Sequence, residues 1–249
     1  MHTFQAAGWK VSSVALPASA SCVAACTALS TIGDITDKRV REIAVEKTLS
    51  AYGRIDVLIN NAGVGLYAPA TGVTRELFFR LIDVNVYAPL ALAQLVLPLM
   101  RAQQSGSIVT IGSVAGSVAL PWTAGYSASK AALHAIHDSL RREVRNTPVH
   151  LMKVAPGIVD TDFRAHVLVG EAPPAVQKIR RVVSAEEVAR AILRGIRNRR
   201  KTVYVPRVGA LFALMGNVAP GLMDRYLAHL TNPLSASHAL AAQRSEKVS

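Results

Sequence analysis

The 249 residues predict an α/β fold in which a parallel sheet is covered by helices on both faces. Two observations carry that prediction. Short β-branched runs alternate with longer stretches of helical periodicity, the signature of strand–helix–strand units. The chain is also 51% hydrophobic and 18% charged, enough apolar material to bury one sizeable core and too much for a disordered polymer.

Val11 to Leu16 reads as a strand. Asp37 to Tyr52 carries Val40, Ile43, Ala44 and Leu49 at helical spacing. Ile55 to Ile59 is a buried strand ending in Asn60-Asn61-Ala62-Gly63, and Thr74 to Arg101 a long helix. A strand over Ser107 to Gly112 is followed by a helix from Ser127 to Arg145 and a strand from Val149 to Val154. Ala185 to Asn198 is an amphipathic helix, and Thr202 to Pro206 a last short strand. Residues 1–207 are expected to form one domain, to which the apolar, partly helical extension and frayed tail of 208–249 also belong.

The composition excludes several classes. Two cysteines, Cys22 and Cys26, cannot build a disulfide scaffold, lack partners at zinc-ligand spacing and suit a reducing, cytoplasmic compartment. Seven scattered histidines give no metal-binding pair, so no metal is expected. No run reaches the roughly 20 strongly apolar residues of a spanning helix. The signal-like Lys10 to Ala20 has too short an apolar part for secretion. The net charge is +12, concentrated between Arg141 and Arg207, where 15 Lys and Arg face 6 Asp and Glu. Without a nucleic-acid motif or interleaved aromatics, that excess does not indicate nucleic-acid binding.

The chemistry lies at strand ends, where doubly wound sheets bind their ligands. Tyr126 and Lys130 stand four residues apart on a helix, so they share a face and the ammonium can approach the phenol. A free phenol titrates near pH ~10, and a neighbouring cation lowers that value. Ser113 can donate a second hydrogen bond to the same substrate oxygen.

At these residues the sequence resembles the classical branch of the short-chain dehydrogenase/reductase (SDR) family. Asn85, Ser113, Tyr126 and Lys130 match its Asn-Ser-Tyr-Lys tetrad. Asn60 to Gly63 match its NNAG strand end, Pro156-Gly157-Ile-Val159-Asp-Thr161 its PG-x-V-x-T segment, and Gly33-Asp34 its adenine-side segment. The resemblance implies a Rossmann-like, doubly wound sheet and an NAD(P)-dependent oxidoreductase. Tyr126 would be the general acid/base, Lys130 would lower its pKa and hold the nicotinamide ribose, Ser113 would polarise the carbonyl, and Asn85 would anchor a water. Asp34, Asn61, Ala62, Gly63, Tyr126, Lys130, Pro156, Gly157, Val159 and Thr161 would hold NAD or NADP. Leu16-Pro17-Ala18 offers neither the Asp nor the Arg that would choose between the two.

The family's first strand and its T-G-x-x-x-G-x-G turn have no counterpart before Val11. The expectation is a chain shortened at its N-terminus, with a gap in the sheet and no phosphate cradle. The alternative is a catalytically impaired form that acts as a binding or regulatory module. Asp162 to Val183, the substrate lid in the resembling family, contains Phe163, Val167, Leu168, Val169 and Pro173-Pro174, which with Leu120-Pro121-Trp122 suggest a lipophilic carbonyl or alcohol substrate. The extension from Val208 to Leu230 could cover the pocket, join a homo-oligomer or touch a membrane surface.

Overall fold

The computed structural model describes residues 1–20, 27, 29–161, 163, 167–171 and 182–230. Cys22, Cys26, Asp162, Pro173, Pro174 and the tail after Asn232 lie outside them. The elements are α1 (His2–Ala6), β1 (Ser12–Ala15), β2 (Leu29–Ile32), α2 (Lys38–Tyr52), β3 (Val57–Asn60), α3 (Arg75–Ile82), α4 (Ala88–Ala102) and β4 (Gly106–Ile111). Then follow α5 (Ala124–Glu143), β5 (Val149–Pro156), β6 (Val159–Asp160), β7 (Val183–Ser184), α6 (Ala185–Arg197), β8 (Thr202–Val205), α7 (Val208–Val218) and α8 (Pro220–Leu230).

Strands β3, β4, β5 and β8 form one parallel sheet in that order. Alternation along its strands sends neighbouring residues to opposite faces. Ile108 and Leu151 join Ala93, Val96, Met100 and Val144 under α4 and the end of α5. Val109, Met152 and Val154 join Phe4, Val188 and Ile192 under α1 and α6. The sheet is thus covered on both sides, and β5 is buried at every position, as parallel sheets require.

Two features depart from the sequence reading. Strand β2 was not foreseen: Leu29-Ser-Thr-Ile32 is only four residues long and half polar, and it is a strand because it pairs in parallel with β1. Among the described residues the β1–β2 pair shares no ladder with the larger sheet, so the sheet is interrupted between β1 and β3.

The long helix runs Arg75–Ala102 and is apolar enough to cross a membrane by length and composition, yet half of its most apolar window is buried inside the protein. It is read as a core helix. Between α3 and α4 it widens into a π turn at Asp83–Tyr87, which holds Asn85 fully buried. Such single-turn bulges often mark functional positions.

Under α5 the sheet face is polar. Lys153 Nζ donates to Asp138 at 2.9 Å, and His137 Nδ1 lies 3.0 Å from the Thr110 hydroxyl. Burial, helped by the positive charges of Lys153 and Lys130, pushes His134 down to about 4 from 6.5. Burial and Lys153 push His137 to about 4 as well. The unfolded chain takes up these protons near pH 6.5, whereas the folded chain does so only near pH 4. Their contribution to stability is therefore complete above pH 6.5 and is lost as the pH falls toward 4. Thermal unfolding measured across that window should show a steadily falling Tm, and replacing both histidines by Gln should flatten the slope.

Candidate active site

The site gathers at the carboxyl end of the four-stranded sheet. Strand β4 ends at Ile111, and the chain turns at Gly112 into a single 3-10 turn, Val114–Gly116, capped by Ser113. The Ser113 hydroxyl accepts from Ala115 N at 3.1 Å and is near enough to the Tyr126 phenol to favour its ionised form. Tyr126 lies in the first turn of α5, and Lys130 one turn further along the same face. Lys130 is buried, donates to Ile111 O at 3.1 Å, and its Nζ sits 5.9 Å from the Tyr126 ring centroid.

The electrostatics differ from what the resemblance implies. The Tyr126 phenol is raised to about 12, because burial outweighs the downward pull of Ser113, with Tyr67 adding to the rise. Lys130 is itself lowered to about 8 by burial. Ser113 is the group that acts on the phenol in the downward direction.

Asn85 also works differently. Its Oδ1 accepts from Val64 N at 2.9 Å, while Nδ2 donates to Val64 O at 3.0 Å and to Ser129 Oγ at 2.9 Å. Both amide protons are engaged, so the side chain clasps the loop after β3. Ser129 passes the clasp on by donating to Tyr126 O at 2.7 Å. This places Gly63 against the site: a Cβ there would come 3.2 Å from Asn85 Oδ1 and 3.4 Å from Lys130 Nζ.

The remaining residues divide. Asn61 and Ala62 are exposed beside Gly63, whereas Asn60 is buried and donates to Pro89 O at 3.1 Å, a structural tie between β3 and α4. Pro156 ends β5 opposite Val205 of β8, Gly157 N donates to Val205 O at 2.8 Å, Val159 pairs with Val183, and Thr161 is exposed. Asp34 is committed elsewhere. One oxygen accepts from Thr36 N and Thr36 Oγ1, and the other from Arg80 at 2.7 Å. Burial opposes ionisation of this carboxyl, but the Arg80 and Thr36 hydrogen bonds outweigh it and hold the pKa below the usual carboxylate value.

Over the site lies Phe163, its ring centroid 5.9 Å from that of Tyr126. Val167 bridges to Gly65, and Leu168 and Val169 pack on the cluster of Leu66, Ala68 and Leu81. Those two residues are therefore packing. Leu120 likewise joins Val118, Met223 and Leu227 beneath α7 and α8. The residues the sequence reading missed are Tyr67 and Ser129. Ser129 carried a signal, being a small hydroxyl one helical turn beyond Tyr126; Tyr67 carried none.

The donor set suits a nicotinamide nucleotide at the nicotinamide end. A buried ammonium with spare donors faces a glycine at a strand end, beside a hydroxyl and a phenol. Among the described residues no glycine-rich strand-to-helix turn stands ready for a pyrophosphate.

Comparison with known proteins agrees with this geometry. Residues 2–171 match the short chain dehydrogenase family. The chain is 29% identical over 199 residues to dehydrogenase/reductase SDR family member 7B of Mus musculus, covering 78% of this chain and 62% of that protein. It is 31% identical over 212 residues to dehydrogenase/reductase SDR family protein 7-like of Drosophila melanogaster, covering 82% and 62%. The chain thus spans less than two thirds of these relatives. A short-chain dehydrogenase from Streptomyces avermitilis superposes with TM-score 0.73 at 26% identity, covering 96% of this chain and 91% of that one. One from Sphingobium yanoikuyae, in complex with NADPH, superposes with TM-score 0.70 at 25% identity, covering 90% of each. With the family matched over more than half its length and the Ser113, Tyr126 and Lys130 side chains assembled at one strand end, the chain belongs to the short-chain dehydrogenase family.

Proposed function

We propose that the protein is an NAD(P)-dependent oxidoreductase that interconverts a hydrophobic ketone or aldehyde and its alcohol. The observation that carries this reading is the convergence of Ser113, at the end of β4, with Tyr126 and buried Lys130 one turn apart on α5. A bound nicotinamide would supply or accept the hydride. Tyr126, held protonated across neutral pH, donates its proton to the carbonyl oxygen in reduction and recovers it in oxidation. The Ser113 hydroxyl polarises that oxygen, and Lys130, with Gly63 and Asn61 alongside, holds the ribose. Phe163 against the Tyr126 ring excludes water and favours a lipophilic substrate. The structure of the Sphingobium relative supports the nucleotide class.

A second reading, a binding module with impaired chemistry, is favoured by the interrupted sheet and by the engaged carboxylate of Asp34. Within the enzymatic proposal, the cytoplasm is the working compartment. The exposed face of Leu211, Leu214, Val218 and Leu222 suits a homo-oligomer contact or a peripheral membrane contact.

Fluorescence titration with NADH and NADPH, followed by a 340 nm assay over ketones of increasing chain length, tests the two readings. We expect saturable binding and nucleotide consumption that rises with chain length. Binding without consumption supports the module, and absence of both removes the oxidoreductase reading.

A further inference from the structure

We propose that His134 is a positioning residue of the site: its Nε2 accepts the backbone N–H of Ser113, and its ring braces the Gly112–Gly116 turn that aims the Ser113 hydroxyl at Tyr126. The argument starts from the turn. Gly112 N donates to Val154 O at 2.8 Å, and Gly116 N donates to Ser113 O at 3.1 Å. Ser113 N meets no such carbonyl; it points to His134 Nε2 at 3.4 Å. A backbone donor at the end of a buried strand is costly to leave unpaired, so this side chain supplies what the ladder does not.

Steric fit makes the brace tight. A Cβ on Gly112 would collide with His134 Nε2, and one on Gly116 would come within 2.8 Å of both His134 Cε1 and Lys130 O. Both glycines are therefore spaces that the imidazole uses. His134 lies one helical turn beyond Lys130 and two beyond Tyr126, so a single face of α5 carries all three. The same helix thus fixes the phenol directly and, through the turn, the hydroxyl beside it.

Nε2 can accept only if it carries no proton, which leaves the ring proton on Nδ1. Burial chiefly keeps the ring neutral, helped by Lys153 on β5 and by Lys130 and His137 on α5, while Asp138 on α5 pulls the other way. Nothing in this role touches substrate; His134 acts on Ser113 alone.

The inference rests on Ser113 as the group that holds the carbonyl, but part of its test does not. In the full chain, His134→Leu keeps the bulk and removes the acceptor, whereas His134→Gln places an amide oxygen where Nε2 stood. Amide hydrogen exchange over residues 112–118, read by mass spectrometry, should quicken on the order of tenfold in the Leu variant and stay near wild type in the Gln variant. In the carbonyl reductase assay, kcat should fall on the order of tenfold for Leu with KM nearly unchanged, and recover for Gln. Placed on a Ser113→Ala background, the Leu substitution should cost less than about twofold more, because its route of action is gone. Unchanged exchange over 112–118 overturns the proposal. So does a Gln variant as fast-exchanging as Leu, or an undiminished Leu effect without Ser113. If no form of the protein reduces carbonyls, the oxidoreductase reading fails while the exchange experiment still decides the role of His134.

Discussion

Tyr126→Phe should lower kcat for carbonyl reduction by about 10²–10⁴-fold, the range that general acid catalysis contributes. The substitution removes one oxygen and leaves the ring, so the tilted 5.9 Å ring contact with Phe163 persists and the first turn of α5 is undisturbed. KM for the carbonyl should change little, since Ser113 still offers its hydroxyl. Thermal unfolding of the variant should match wild type within a few degrees. A variant that reduces carbonyls at the wild-type rate would remove Tyr126 from the chemistry and the enzymatic reading with it. The phenol also sets a pH expectation. With Tyr126 near 12, the reducing rate should not decline through loss of its proton at any pH below about 10.

The largest effect on stability is expected from Asn85→Leu. Asn85 is fully buried inside the π turn, and leucine has nearly its shape. The substitution strands Val64 N–H and Val64 C=O and removes the donor to Ser129 Oγ. Unmet buried polar groups cost about 1–3 kcal/mol each, so a loss of about 2–4 kcal/mol follows, or a Tm lower by about 5–15 °C in a chain this long. Differential scanning calorimetry reads this directly. Activity should fall too, because the clasp holds the loop that brings Gly63 to Lys130.

The legible parts of the molecule were those governed by short-range periodicity. Helical spacing was enough to put Tyr126 and Lys130 on one face, and alternation with chain order was enough to place their helix beside the strand that ends at Ser113. What stayed hidden depends on approach between distant segments. Strand β2 has too few apolar residues to announce itself and exists through its pairing with β1. The pairing of Asp34 with Arg80 joins residues 46 positions apart. The sign of the Tyr126 shift depends on how much of the ring is buried, which no motif states. Cysteine positions and the residues around Pro173 and Pro174 fall outside the described part of the chain.

The break between β1 and β3 also bears on how the fold comes apart. A continuous ladder transmits rigidity strand by strand, but here the β1–β2 pair is bound to the rest through side chains instead. Val45 and Leu49 of α2 press on the cluster under α4, and the Arg80–Asp34 pair ties the end of β2 to α3. Those contacts are fewer and softer than a run of backbone hydrogen bonds. Amide hydrogen exchange from β1 to α2 is therefore expected to be faster than in the four strands that lead to Ser113, and equal protection in both would show that the side-chain contacts bind the pair as firmly as a ladder.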